Sequence, residues 1–155
     1  MKNSIGLDQT QGKLLTEKLN NLLADYMMFY QNTRGLHWNI KGEKFFELHL
    51  KFEELYNESL IKIDEIAERI LTLGGVPIHS YSAYLKEAHI KEAENIADGK
   101  KAIQIIVKGF QTLLEQERKL LSLSAKANDE GTNSLMSDYI RQQEKLVWMY
   151  NAYLS

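Results

Sequence analysis

The sequence predicts an all-α protein, a four-helix bundle whose second and third long helices are joined by a long crossover carrying a short helix. Three observations lead there. The chain has one proline in 155 residues, and proline breaks helix interiors. It is rich in Leu, Ile, Glu, Lys and Ala, and its apolar residues recur at spacings of three and four. The long break in that pattern, from Gly74 to about Ala97, exceeds the roughly 2–8 residues of simple bundle turns and suits a connection running along the bundle.

The first helix is expected from about Asp8 to Trp38, where Leu15, Leu19, Leu22, Tyr26, Phe29 and Thr33 trace one stripe. Gly35 interrupts it at a cost of about 1 kcal/mol. Asn39 to Gly42 reads as a short turn. The second helix is expected from about Glu43 to Leu73, with Phe45, Leu48, Phe52, Leu55, Ser59, Lys62, Ile66 and Ile70 on one face. Gly74-Gly75 ends it, as glycine does at helix C-termini, and Pro77 forbids continuation. A short helix is expected from Ser82 to Ala88. Asp98 is the N-cap of the third long helix, which Ile103, Ile106, Phe110, Leu113, Leu114, Glu117, Leu120 and Leu121 carry to about Lys126. Asn128 to Gly131 reads as a turn. The fourth long helix is expected from Thr132 to Tyr153, with Leu135, Tyr139, Leu146, Met149 and Tyr153 inward.

The length fits one domain, residues 1–155, with 1–7 as a short tail before the first helix. There is no cysteine, which excludes disulfides, thiolate metal sites and a thiol nucleophile. No window approaches the roughly 18 apolar residues of a membrane span. No apolar run follows Lys2, so no signal peptide is expected and the cytoplasm is the expected compartment. The net charge of −2 lacks the basic excess of a dedicated nucleic-acid binder.

The second helix carries the chemistry. His49, Glu53, Asp64 and Glu68 fall within about 100° of its surface, a stripe of four potential metal ligands. Imidazole and carboxylate together suit iron, zinc or manganese better than calcium. One helix cannot bring all four to one ion, since His49 and Glu68 lie roughly 28 Å apart along it. The four positions are symmetric about the point between Glu58 and Ser59. Two copies packed antiparallel about a two-fold axis there would bring His49 and Glu53 of one chain towards Asp64 and Glu68 of the other, and two-fold interfaces are the commonest in homo-oligomers. The same stripe also has the form of a solvated face on a long helix. His37 falls on the inward stripe of the first helix, where an imidazole needs a partner. Bundles with an intrasubunit di-iron site use Glu-x-x-His motifs. Arg34, Phe46, Val76 and Lys86 stand three before the four histidines, so any site here is built differently.

His37-Trp38-Asn39-Ile40-Lys41-Gly42, then Phe45-Phe46, His49, Asp64, Ala67-Glu68-Arg69 and Leu73-Gly74-Gly75, resemble the Dps family, the miniferritins of the ferritin-like superfamily. Glu144-Lys145 and Trp148-Met149 are similar to that family's last helix, so the resemblance covers the whole chain. It implies a hollow homo-dodecamer with ferroxidase centres at two-fold interfaces. Carried over, the metal ligands are His37, His49 and Glu53 from one chain with Asp64 and Glu68 from its partner. Glu53 departs from the family's usual aspartate and is one methylene longer. The resemblance also implies the activity: a ferroxidase that oxidises ferrous iron, with hydrogen peroxide preferred to dioxygen, and stores ferric mineral inside, limiting hydroxyl-radical damage. It implies Trp38, beside a ligand, as an electron donor when only one iron is present. Asp129, Glu130 and Asp138 become candidates for drawing cations into the shell.

Some members of the family compact DNA through a lysine-rich tail. Met1 to Leu7 holds only Lys2, and the fourth long helix runs almost to Ser155. Twelve copies at −2 each would carry about −24, whereas phosphate binding relies on Lys and Arg releasing counterions. Weak or no DNA binding is therefore expected. The alternative is a DNA-binding, nucleoid-associated shell with vestigial iron oxidation.

Overall fold

The computed structural model describes residues 1–155 and contains five helices: α1 (Gln9–Asn39), α2 (Phe45–Thr72), α3 (Tyr81–Glu87), α4 (Gly99–Lys126) and α5 (Glu130–Leu154). The pairs α1–α2 and α4–α5 pack together, α4 lies against α1, and the short α3 also lies on α1. The four long helices form the bundle, and the crossover from α2 to α4 runs outside it. No helix is long and apolar enough to cross a membrane.

The stripes expected on α1, α2 and α4 face the core. Leu19, Leu22, Phe52, Ile66, Ile70 and Leu113 are fully enclosed, and burying such a side chain stabilises by about 1.5–3 kcal/mol. Asp8 and Asp98 cap as their positions suggest, accepting from Gln11 N at 3.0 Å and Lys101 N at 2.9 Å. Ser80 caps α3 by accepting from Ala83 N. Gly74 lies at φ 89°, and the Gly75 amide donates back to Ile70 O at 2.9 Å, which closes the end of α2. A Cβ on Gly109 would meet the Phe29 ring at 2.7 Å, so glycine sets the close approach of α4 to α1.

Three boundaries and one face differ from expectation. Helix α2 starts at Phe45 because Gly42, at φ 114°, turns the chain just before it. The short helix is Tyr81–Glu87, one residue earlier than expected. The turn before α5 is tighter, because Asn128 takes the left-handed conformation at φ 55° and Asp129 already caps the next helix. Glu130 and Gly131 are thus in α5. The buried face of α5 is Thr132, Met136, Tyr139, Ile140, Gln143 and Tyr150. Met149 and Tyr153 are exposed at 42% and 39% in the single chain.

The crossover is held by polar side chains of α1. Asn20 donates to Val76 O and accepts from Ile78 N. Asp25, fully buried, accepts from the His89 and Ile90 amides at 2.7 Å each and from the Gln116 side chain. Asn32 donates to Lys91 O and accepts from Ala93 N. These clamps satisfy backbone groups that lack helical partners.

Candidate metal centre

Where α1 ends and α2 begins, His37 and His49 lie face to face, ring centroids 3.8 Å apart at 13°. Their hydrogen bonds are reciprocal: His37 Nδ1 contacts His49 O at 2.6 Å, and His49 Nδ1 contacts His37 O at 2.8 Å. A carbonyl only accepts, so each Nδ1 carries its proton. In the neutral ring the lone pair is then on Nε2, the state a metal ligand needs, fixed by the backbone hydrogen bond on the other nitrogen. His37 is buried, as its inward position requires, and His49 is half-buried. The donor set fits a ferrous substrate: two oriented imidazoles, with carboxylates on the adjoining face.

Those carboxylates run along α2. Glu53 is half-buried, and Asp64 and Glu68 are exposed in the single chain. No three such residues converge within one chain. The same face exposes large apolar side chains: Phe46 at 80%, Leu50 at 57%, Leu60 at 49%, Ile61 at 63% and Leu71 at 58%. Phe46 and Leu71 are symmetric about the point between Glu58 and Ser59, as are His49 with Glu68 and Glu53 with Asp64. A solvated stripe has no use for that row of apolar groups, which is what an unpartnered interface presents.

Trp38 is 57% exposed and lies under the Arg34 guanidinium, 4.8 Å from its ring centre. Both line a groove of about 550 Å3 between α1 and the crossover, away from the ligand stripe. The aromatic ring beside His37 is Tyr56 of α2, edge-on at 5.3 Å. Sequence spacing did not single out Tyr56, which lies between the core face and the ligand stripe. Asp129 is committed internally. It caps α5 and pairs with Arg69 NH2 at 2.6 Å, while Arg69 Nε donates to Thr132 Oγ1. Only 2% exposed, Asp129 is unsuited to lining a path for cations. Asp138 pairs with Arg141 on the surface at 2.9 Å.

The bundle interior holds a separate polar cluster. Tyr26 donates to Glu117 Oε2 at 2.5 Å, and Gln143 Nε2 donates to the Tyr26 hydroxyl. Burial pushes the Glu117 carboxyl from the ordinary 4.5 up to about 8, against the hydrogen bonds from Tyr26 and Gln143 and the charge of Lys62. Burial, then the Glu117 charge, raises Tyr26 well above its usual range. Tyr139 is raised by burial and then by Glu65, to which it donates at 3.1 Å. Lys62, 7% exposed, lies over the Tyr139 ring at 5.3 Å. One engaged carboxyl beside a buried ammonium is a poor cation site, in line with the missing Glu-x-x-His motifs.

The chain matches the model of the ferritin-like domain over residues 16–155. It is 41% identical over 148 residues to the DNA protection during starvation protein of Porphyromonas gingivalis, covering 96% of this chain and 93% of that protein. The crystal structure of the Dps protein from Vibrio cholerae O1, described as a member of a superfamily of ferritin-like diiron-carboxylate proteins, superposes with a TM-score of 0.98. The two are 59% identical, with 99% of this chain and 97% of that one covered. Dps from Bacillus brevis superposes with a TM-score of 0.92 at 35% identity, over the full length of both chains. The interlocked histidines, the exposed carboxylate-bearing face of α2 and the crossover clamped to α1 are thus features of a chain that belongs to the ferritin-like family and, within it, to the Dps miniferritins.

Proposed function

We propose that this protein is a ferroxidase and iron-storage miniferritin whose sites are shared between two subunits of a hollow dodecamer. The reciprocal His37–His49 lock carries the reading, because it fixes two imidazoles through their Nδ1 atoms and leaves each Nε2 for a metal, beside a face still lacking its partner. Ferrous iron is the substrate. His37, His49 and Glu53 of one chain would bind it together with Asp64 and Glu68 of the other. The carboxylates neutralise the cations and favour the ferric product, while the imidazoles favour capture of the ferrous ion. Hydrogen peroxide is the oxidant we assign, on the family resemblance, and the cytoplasm the compartment, which the absence of cysteine suits.

The test is anaerobic ferrous loading of the purified protein followed by peroxide, with absorbance and particle mass recorded. His37→Ala/His49→Ala should keep the shell and lose the fast phase by more than about a hundredfold, since disturbing even the outer groups around a metal typically costs 10–100-fold. Equal slow oxidation in both proteins would make the stripe structural.

DNA protection, in this reading, comes from removing iron and peroxide rather than from coating DNA. Met1–Leu7 has one cationic side chain, Lys2, and is folded back on α1, with a backbone β-bridge between Lys2 and Asp8 and the Gln9 amide donating to Met1 O. Gel shifts at low and moderate salt should show complexes weakening as salt rises. Tight complexes at moderate salt would favour the DNA-binding shell instead.

A further inference from the structure

We propose that Tyr56, not Trp38, supplies the second electron when peroxide meets a site holding a single ferrous ion. The inference rests on the iron-oxidising reading above. Two aromatic rings meet the His37 imidazole, those of His49 and Tyr56. Tyr56 stands edge-on to it at 75° and meets Tyr30 edge-on at 5.9 Å. Three oxidisable rings therefore lie near the histidine pair: Tyr56, Tyr30 and, one residue along the chain, Trp38.

Arg34 separates them. Its guanidinium lies 5.3 Å from the Tyr30 ring centre and 4.8 Å from that of Trp38. A cation on the face of a neutral ring is attracted by the ring's quadrupole. The same cation repels the positive charge left when the ring loses an electron. Trp38, whose indole becomes a radical cation on losing an electron, is made harder to oxidise, and no cation lies over Tyr56. Tyr30 meets Tyr56 and not His37, so Tyr56 is the nearest of the three rings to His37.

The electrons balance. Hydrogen peroxide accepts two electrons as its O–O bond breaks. One ferrous ion gives one electron and becomes ferric. Tyr56 gives the other and passes its phenol proton to the products, which are one water and one hydroxide. A neutral tyrosyl radical remains on Tyr56. Without that second electron the same encounter yields hydroxide and a free hydroxyl radical. Tyr56 therefore acts where the two-iron reaction cannot, at partly filled sites.

The assembled protein would be loaded anaerobically with less than one ferrous ion per site, mixed with one equivalent of peroxide and freeze-quenched. Electron paramagnetic resonance reads the radical, ferric iron is measured in the same samples, and hydroxylation of a coumarin probe reads escaping hydroxyl radical. A tyrosyl signal is expected in the wild type and in Trp38→Phe. It should be lost in Tyr56→Phe, with coumarin hydroxylation rising. In Arg34→Gln, part of the signal should move to tryptophan. A signal that survives Tyr56→Phe and disappears in Trp38→Phe would overturn the proposal, as would ferric iron formed with no tyrosyl signal in the wild type. Absence of ferric iron in the wild type would instead sink the ferroxidase reading itself. Light scattering would show that each variant keeps the wild-type particle mass.

Discussion

Leu60→Glu/Ile61→Glu chains are expected to fold as single bundles, to remain unassembled and to lose the fast phase of ferrous oxidation. Both side chains are already exposed in the single chain, at 49% and 63%. Surface substitutions of this kind usually change stability by within about 0.5 kcal/mol. In the two-fold pairing proposed above the same positions would lie close to the axis, so four carboxylates would be buried against one another. Each unpaired buried charge costs several kcal/mol, enough to prevent pairing. His37, His49 and Glu53 would then have no Asp64 and Glu68 to meet. Light scattering should report the chain mass, circular dichroism a helical fold, and stopped-flow absorbance only slow oxidation. A monomer that oxidises iron as fast as the wild type would show that one chain holds a complete site. Mixing offers the complement: His37→Ala/His49→Ala chains co-assembled with Asp64→Ala/Glu68→Ala chains should regain part of the fast phase, because some pairs then hold one intact site.

The parts of this molecule legible in the sequence are those that one helix determines for itself. The inward stripes of α1, α2 and α4 follow from the helical period, and the caps Asp8 and Asp98 from their position ahead of apolar runs. The alignment of His49, Glu53, Asp64 and Glu68 along one side of α2 follows from the same period, whereas their role as ligands belongs to the proposed function. What depends on a second element was not legible. Asn20, Asp25 and Asn32 have the appearance of ordinary polar positions on a helix. Only the path of the crossover reveals that they bind its backbone. The face of α5 was legible only in part: Tyr139 is buried and Leu135 and Leu146 pack against the core, but Gln143, 1% exposed, is polar and drops out of a hydrophobic pattern. Its burial makes sense once Tyr26 and Glu117 are seen opposite it. The interlocked tautomers of His37 and His49 depend on the turn that brings two helix ends together, which no spacing encodes.

Glu117 leads to a pH effect on stability whose sign is opposite to that of most carboxylates. Unfolded, its carboxyl ionises near 4.5, whereas in the folded chain burial holds it protonated up to about 8. Between those values the folded state keeps a proton that the unfolded state has released. Raising the pH through that window therefore favours unfolding, and the loss is complete above about pH 8. A neutral Glu117 also suits its surroundings, where Glu117 Oε1 and Gln143 Oε1 are buried acceptors without partners. A proton on Glu117 Oε1 would turn one of them into a donor. Glu117→Gln keeps an oxygen to accept from Tyr26 and cannot ionise. Relative to that variant, the wild type should lose on the order of a few kcal/mol between pH 5 and 8. Assembly would obscure the difference by adding subunit association to folding, so both forms are best compared in the Leu60→Glu/Ile61→Glu background. Urea midpoints that diverge with rising pH, the wild type falling below Glu117→Gln, are the expected result. Parallel curves would mean that Glu117 is already ionised in the folded bundle, with Lys62 close enough to hold its charge.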